Sequence, residues 1–210
     1  MPPRVTVIGA GIAGASTAFA LARKGAEVTI IEAGDDGQAT AASAGIIAPW
    51  GSAAEGALYD ALAAGAGFYP TVLGALAEAG VTRTDYRRAG ALYVHRDPMV
   101  LEEAEDRIRR RAARSAGVAG AVHRLDAGEV RSRVPVLAED LSGVLVEGGA
   151  RVDGRTLAAG LLRAARNLGA HLIRGHASLS EQSGPAVVHV DGQPVAADAV
   201  VIAAGAWTNR

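Results

Sequence analysis

Two apolar runs near the N-terminus enclose a helical pattern. β-Branched residues dominate positions 4–8 and 27–32, which predicts two strands. Between them, apolar residues recur at helical spacing and predict a helix over residues 12–25, with Gly25 as its C-terminal cap. A strand, a helix and a second strand in this order are typical of a βαβ unit with parallel strands.

The middle of the chain has a different pattern. It predicts a long helix over residues 53–80, with a kink or restart at Pro70, and a second helix that begins after Asp97 and ends near residue 115. A single helical turn is predicted at 126–131, capped by Asp126. Short strands are predicted at residues 82–86, 89–95, 121–125 and 144–147.

The alternation of helix and strand returns after residue 150. Asp153 is predicted to cap a helix that ends at Gly169, and a strand follows at 170–174. Another strand, predicted to be buried, occupies residues 199–203 and opens into a turn at Gly205. Together these patterns predict an α/β fold with a parallel sheet of four strands at residues 4–8, 27–31, 170–174 and 199–203.

An antiparallel pattern lies between the last two of these strands. Residues 179–195 alternate in polarity around the turn pairs Ser183-Gly184 and Asp191-Gly192, which predicts a β-meander. Residues 81–147 have their own strands and helix, so they are predicted to form an excursion that interrupts the α/β domain.

Three glycines follow the first predicted strand. Gly9, Gly11 and Gly14 have the spacing G-x-G-x-x-G of a dinucleotide-binding turn. Gly9 allows the tight turn, Gly11 lets the backbone approach a pyrophosphate, and Gly14 lets the helix pack closely on the strand. Phosphates would then face the first N–H groups of the helix, where the helix dipole favours an anion.

The second strand ends in Glu32. A carboxylate at this place accepts hydrogen bonds from both ribose hydroxyls of a dinucleotide and repels a phosphorylated 2′-hydroxyl. The sequence therefore favours FAD or NAD over NADP. The alternative is an ordinary buried strand that ends in an exposed glutamate.

Small residues dominate the segment from residue 39 to residue 48. Their backbone can lie against a flat or bulky ligand, with Thr40 and Ser43 as hydrogen-bonding groups on the cofactor-binding side. The alternative interpretation is a plain alanine-rich helical turn followed by a loop.

The composition narrows the classes of function. Of the 210 residues, 50% are hydrophobic and 20% are charged, which is typical of a globular protein. A net charge of −1 gives no reason to expect nucleic acid or an anionic membrane as a partner. The absence of cysteine excludes disulfides, thiolate nucleophiles and cysteine-based zinc sites, and the scattered histidines predict no metal site.

The uncharged stretch at residues 5–22 has the length of a signal peptide. The glycine spacing and the strand that follows favour the βαβ unit instead. We predict no transmembrane segment, because no run is long and apolar enough. A cytoplasmic location is expected, with membrane association as the alternative.

Four segments together resemble the D-amino-acid oxidase/dehydrogenase and glycine oxidase superfamily of FAD-dependent oxidoreductases. They are residues 7–14, residues 31–32, residues 44–49 and residues 203–208. The resemblance covers essentially the whole chain. It implies a Rossmann-like FAD-binding domain at residues 1–80 and 148–210, interrupted by part of an α+β substrate domain at residues 81–147.

The resemblance also implies roles for individual residues. Backbone N–H groups of Ile12 and Ala13 would face the FAD pyrophosphate, and Glu32 with Ala33 would hold the adenosine ribose. A backbone group near Ser178 would meet the adenine. The other implied contacts are Ala39, Thr40, Ala44, Gly45 and Ile46 on the pyrophosphate, ribityl and flavin side, and Gly205 and Trp207 close to the cofactor.

The implied reaction is the oxidation of an amino acid or amine, of D-amino acid, glycine or sarcosine type. Hydride would pass from the substrate Cα to flavin N5. No catalytic residue is assigned, because the family's carboxylate-binding arginine and second flavin-binding glycine segment would lie beyond Arg210. The chain is therefore expected to be an N-terminal portion, and its oligomeric state is not predicted.

Two alternatives stay open. One is an NAD-dependent Rossmann dehydrogenase, which would not need the small residues at 39–48 or the turn at Gly205. The other is a truncated, non-catalytic nucleotide-binding module.

Overall fold

The computed structural model describes residues 1–180 and 187–209. The helices are α1 (Ile12–Arg23), α2 (Ala39–Ala42), α3 (Gly56–Glu78), α4 (Pro98–Ala113), α5 (Ala127–Arg133) and α6 (Gly154–Asn167). The first strands are β1 (Arg4–Ile8), β2 (Glu27–Glu32), β3 (Ile46–Ile47), β4 (Arg87–Arg88), β5 (Ala91–His95), β6 (Val122–Leu125) and β7 (Ser142–Val146). The later strands are β8 (Ala150–Arg151), β9 (His171–Arg174), β10 (Ala177–Ser180), β11 (Val187–Val190), β12 (Gln193–Val195) and β13 (Ala199–Ile202).

The chain divides into two compact units, which we describe separately. The first consists of Met1–Ala44, Leu73–Asp85 and Asp153–Arg210, and the second of Gly45–Val72 and Tyr86–Val152. These bounds differ from the predicted domain borders, because residues 45–72 pack with the second unit. There β3 pairs with β8, and Trp50 is part of the core. That the two units are a cofactor domain and a substrate domain stays a prediction.

A parallel sheet forms the centre of the first unit. Its strand order is β13-β1-β2-β9, and Val7 lies opposite both Val201 and Ile30. All four strands were predicted, and all of their pairings are parallel. β1 and β2 are central, so each is paired on both sides.

The two faces of this sheet are buried in different ways. Ile8 and Ile31 pack with Val188 and Val190 of β11, so the antiparallel sheet β10-β11-β12 covers one face. The predicted meander and its turn at Asp191-Gly192 are confirmed, while Ser183-Gly184 lies outside the described residues. Val7 and Ile30 alternate with Ile8 and Ile31 along the strands and are fully buried on the opposite face.

Helices α1 and α6 pack against each other in the same unit, and α1 also contacts β1 and β2. Their contact is alanine-rich: α1 buries Ala15, Ala18 and Ala22, and α6 buries Ala164 and Ala165. Such small side chains let two helices approach closely and leave little void. Asp153 caps α6 as predicted, since its carboxylate accepts a hydrogen bond from Thr156 N at 2.7 Å.

The prediction that residues 199–203 are buried is wrong. Within the described residues, β13 pairs with β1 on one side and has no strand on the other, and Ile202 is 49% exposed. Apolar strands are common in central positions, and the sequence pattern does not distinguish an edge. At the start of β13, Asp198 accepts three hydrogen bonds from Arg4, one of them from its backbone N at 2.8 Å. These bonds lower the pKa of Asp198 to about 2.

The second unit contains two small antiparallel sheets, with strand orders β3-β8-β4 and β5-β7-β6. Helix α4 packs on the second of these sheets, where Leu101, Ile108 and Val144 are fully buried around Trp50. The predicted caps are confirmed: Asp97 accepts from Met99 N at 2.9 Å, and Asp126 forms a reciprocal capping box with Glu129.

A strand at residues 82–86 was predicted and is not formed. Asp85 has φ of +52°, which an extended strand does not allow, and pairing begins instead at Arg87–Arg88. Helix α3 is continuous through Pro70 and does not restart there. Among the residues that the structure describes, no helix combines the length and the apolar character that a bilayer crossing needs.

Candidate functional site

The carboxyl ends of β1, β2 and β13 border a cleft of about 910 Å³ in the first unit. The loop after β2 forms one wall, and residues 175–179 with the turn after β13 form others. Ligands of open parallel sheets bind at the carboxyl ends of the strands. The volume lies in the range of small-molecule pockets, so this cleft is the candidate site.

The turn after β1 is packed tightly against its surroundings. Gly9 has φ of +101°, and its N–H donates to Ile31 O at 2.8 Å. A Cβ on Gly14 would collide with the carbonyl oxygen of Gly9 and would lie 3.3 Å from Ala203 Cβ. Gly9 and Gly14 therefore have the structural roles predicted for them: a left-handed turn and a close approach of α1 to the strand end.

The first turn of α1 is capped from another part of the chain. Ile12 N donates to Thr40 Oγ1 at 3.0 Å, although Gly11 at the cap position has no side chain to offer. Thr40 is held in turn, because its carbonyl accepts from Ser43 Oγ at 3.0 Å. Gly154 of α6 lies so close that a Cβ there would be 2.7 Å from Ser43 Oγ.

Glu32 connects the glycine turn to the loop after β2. Its Oε2 accepts from Ala10 N at 2.6 Å, and its Oε1 accepts from Gly34 N at 3.0 Å and from Gln38 Nε2 at 3.2 Å. Three donors fix the direction of the carboxylate, while its lone pairs can accept further hydrogen bonds.

Most of the predicted site residues are brought together here. The cleft is lined by Gly9, Gly11, Ile12, Ala13, Glu32, Ala33, Ala39, Thr40, Ser178, Gly205 and Trp207. Gly14, Ser43 and Ala44 do not line it. Gly45 and Ile46 belong to the second unit, where Val152 N donates to Gly45 O at 2.9 Å and the Ile46 side chain is 74% exposed. The contact of every one of these residues with a cofactor stays a prediction.

Several residues of the cleft were not predicted. Gln38 is the most informative, because its amide both lines the cleft and binds Glu32. Ala177 lies beside the predicted adenine contact at Ser178, and the unpredicted remainder is Ile8, Ile31, Asp35, Gly37, Gly175, His176, Leu179, Ile202, Ala203, Ala204, Ala206 and Thr208. Gln38 lies in a turn-rich loop without hydrophobic periodicity, so only its spacing of six residues from Glu32 could have indicated the contact.

The site fits a dinucleotide such as FAD by the chemistry of its groups. A Cβ at Gly11 would lie 3.3 Å from Thr40 Oγ1, which is a tight contact, so glycine keeps a side chain away from the Thr40 hydroxyl there. The start of α1 offers N–H groups and a favourable dipole to a pyrophosphate. An oriented carboxylate at Glu32 suits ribose hydroxyls.

Comparisons with known proteins agree with this geometry. A family model described as DAO, FAD dependent oxidoreductase, matches residues 4–210. An uncharacterized oxidoreductase, YurR, from Bacillus subtilis is 42% identical over 97% of this chain and 55% of its own length. A glycine oxidase from Geobacillus kaustophilus is 32% identical over 98% of this chain and 55% of its own length. The chain thus spans about half the length of the curated relatives that it matches.

Solved structures of oxidases are also similar to nearly the whole of this chain. An iminodiacetate oxidase from Chelativorans superimposes with a TM-score of 0.92 at 44% identity, over 98% of this chain and 56% of that one. A glycine oxidase structure from Geobacillus kaustophilus has a TM-score of 0.79 at 30% identity, over 99% of this chain and 57% of that one.

Proposed function

The chain belongs to the DAO family of FAD-dependent oxidoreductases, and on that premise we propose that its cleft binds FAD for the oxidation of a small amino acid or amine. One observation supports this most strongly. The hydrogen bond from Ala10 N to Glu32 Oε2, at 2.6 Å, holds the proposed phosphate-binding turn beside the proposed ribose acceptor. The family favours FAD over NAD as the occupant.

Each residue of the cleft has a proposed task. N–H groups of Ile12 and Ala13 bind the pyrophosphate, which requires the Thr40 hydroxyl to share or release Ile12 N. Glu32 accepts from the ribose hydroxyls, and Gln38 keeps its carboxylate oriented. The small residues of the turn after β13 leave room close to the cofactor.

When bound, FAD supplies the electron acceptor that takes a hydride from the substrate Cα at flavin N5. The described residues bind and orient this group, and we assign no acid or base among them. Residues near Gly45 and Ile46 are proposed to lie on the flavin side. In the second unit, Ile46 pairs with Arg151 of β8 and Gly45 O accepts from Val152 N, so the backbone of this segment is held in place.

The relatives suggest the substrate class. Similar proteins with a named activity include an iminodiacetate oxidase and glycine oxidases. We propose a small amino acid whose amine bears one or two carboxymethyl groups, such as iminodiacetate, glycine or sarcosine, with D-amino acids as less favoured substrates.

Turnover of the purified flavoprotein tests the proposal. Iminodiacetate, glycine, sarcosine and a D-amino acid panel are supplied in turn, and reduction of the flavin is followed without and with oxygen. We expect reduction by iminodiacetate or glycine. Binding of FAD with no reduction by any member of the panel would contradict the proposed activity and leave a nucleotide-binding module. Reduction of NAD instead would contradict the proposal that the cofactor is FAD.

A further inference from the structure

An aspartate in the turn between β11 and β12 contacts a segment that lies 15 residues earlier in the chain. Asp191 and Gly192 form a two-residue hairpin turn, in which Asp191 has φ of +48°. This pair of residues is common in such turns, so the turn alone explains why the backbone has an aspartate there. The turn does not explain the direction of the carboxylate, which points back to residues 175 and 176.

The backbone of His176 is bonded to Asp191 through both its N–H and its carbonyl. His176 N donates to Asp191 Oδ1 at 3.2 Å, and Asp191 N donates to His176 O at 3.1 Å. The second bond continues the pairing of Ala177 with Val190 in the antiparallel sheet. The first bond uses the side chain, so it depends on an acceptor oxygen at position 191.

The neighbouring Gly175 leaves space for this carboxylate. A Cβ on Gly175 would lie 2.5 Å from Asp191 Oδ2, closer than side-chain atoms approach each other. Gly175 N donates to Glu32 O at 3.1 Å. The connection between β9 and β10 is therefore fixed at Gly175 by the main chain of β2, and at His176 by the Asp191 carboxylate.

This connection is part of the wall of the cleft. Residues 175–179 line the cleft, whereas Asp191 is not among the described residues that line it. The bond from Gly175 N joins the wall to Glu32, the proposed acceptor for the ribose hydroxyls. The adenine of FAD is attached to this ribose, so we assign the wall to the adenosine end of the cofactor.

We propose that Asp191 is a positioning residue for the cofactor, whose carboxylate fixes the backbone at Gly175 and His176 and so the wall that receives the adenosine end of FAD. The inference rests on the proposed function. Asp191 acts through its bond to His176 N and does not need to touch the cofactor. Its side chain thus has a task in the cleft, and its backbone has a separate one in the turn.

The test compares Asp191→Gly with Asp85→Gly in the full-length protein. Glycine keeps the left-handed backbone of the turn and removes the carboxylate. Asp85 also has a left-handed φ, of +52°, and is not among the described residues that line the cleft. Its replacement therefore makes the same change of charge and of backbone freedom away from the wall. FAD and ADP are titrated separately into each apoprotein by calorimetry, and thermal unfolding of each apoprotein is measured.

We expect Asp191→Gly to raise the Kd for FAD about tenfold, as for loss of a hydrogen bond to a charged group. The Kd for ADP should rise by the same factor, because ADP contains the adenosine and the pyrophosphate but lacks the flavin. A general loss of stability would not produce this equality. Asp85→Gly should leave both Kd values unchanged, whatever its effect on thermal unfolding.

A milder variant keeps the inference testable if Asp191→Gly does not fold. Asp191→Asn retains an acceptor oxygen and a residue type that tolerates positive φ, but the hydrogen bond from His176 N then goes to a neutral group. Such bonds are weaker than those to a carboxylate, so the Kd values for FAD and ADP should both rise about twofold to threefold. Unchanged Kd values in Asp191→Asn would then contradict the inference.

The outcomes separate the inference from its premise. If wild type binds FAD but Asp191→Gly leaves both Kd values unchanged, or raises only the Kd for FAD, the inference is wrong and the proposed function stands. The same holds if Asp85→Gly raises the Kd for FAD as much as Asp191→Gly does. If wild type binds no FAD, both are wrong.

Discussion

The glycine turn at residues 9–14 and the loop at residues 48–54 both hold the main chain in an irregular path, but by different means. In the turn, the backbone itself makes the contacts: Gly9 N donates to Ile31 O, and Gly14 packs on Gly9 with no side chain between them. In the loop, the carbonyls are held by the distant side chains of Tyr93 and Arg111.

This difference bears on how each region responds to substitution. A position that works because it lacks a side chain tolerates no addition, since any Cβ meets backbone that cannot move away. A position held by a distant side chain tolerates substitution within the loop but depends on the residue that holds it. A single added side chain in the turn should therefore cause a large loss of stability. In the loop, each lost hydrogen bond should cause a smaller and separate loss.

The largest effect is expected from Gly14→Ala. The new Cβ would overlap the Gly9 carbonyl and crowd Ala203, so we expect a loss of about 3 kcal/mol in the free energy of unfolding, with loss of FAD binding. Chemical denaturation measures the first and FAD titration the second. As control, Gly74→Ala lies in helix α3 with nothing within 4 Å of the new Cβ, and should stabilise by about 0.5–1 kcal/mol. Equal changes in the free energy of unfolding at both positions would contradict the role of the close contact between Gly14 and Gly9.

The second largest effect is expected from Glu32→Gln. The amide keeps one acceptor oxygen and turns its NH₂ group toward donors. The bond from Ala10 N is then lost, or the two bonds from Gly34 N and Gln38 Nε2, depending on which way the amide faces. We expect an increase of about 30-fold in the FAD Kd, or about 2 kcal/mol. Glu27→Gln, at the exposed start of the same strand, is the control. An unchanged FAD Kd in Glu32→Gln would show that this carboxylate does not contribute to FAD binding.

Thr40→Val should have a smaller effect. It preserves the shape of the side chain but removes the acceptor for Ile12 N, which costs about 1 kcal/mol as for loss of a helix cap. Denaturation of the apoprotein measures this. The control is Thr17→Val, because the Thr17 hydroxyl donates to Ala13 O within the same helix and is exposed. If both variants unfold alike, the turn is stabilised by its backbone alone.

The smallest effect concerns Asp198, which ties β13 to β1 by an exposed ion pair. The folded-state pKa of Asp198 is lowered to about 2, below the unfolded value of about 3.9. The contribution of Asp198 to the free energy of unfolding is therefore complete above about pH 4 and is lost as the pH falls toward 2. The free energy of unfolding of wild type and of Asp198→Asn is measured across this pH range, with Asp36→Asn, at an exposed aspartate, as control. The stability difference should shrink with falling pH. A constant difference would exclude the ion pair as its source.

Local patterns were enough to predict the parts of the molecule that local chemistry determines. The β1-α1-β2 unit follows from β-branched runs and three glycines, and the caps at Asp126 and Asp153 from an acidic residue before a helical pattern. The family resemblance is confirmed by the match over residues 4–210.

The remaining features depend on contacts between residues far apart in sequence. Arg111 lies in a helix whose mixed charges indicate only a solvated face, yet its partners are 57–61 residues away. The edge position of β13 depends on which strands flank it. Aspartate adopts the left-handed region more readily than most residues, but the residue type alone does not show that Asp85 does so. Periodicity carries no information about such pairings.

The most direct test of the account is a titration of the apoprotein with FAD, NAD and NADP, followed by calorimetry and by flavin absorption. The account predicts that FAD binds with one site per chain and a flavin spectrum altered from that of free FAD, while NAD binds far more weakly and NADP most weakly of all because of the Glu32 carboxylate. Binding of NAD in preference to FAD, or equal binding of NAD and NADP, would contradict it.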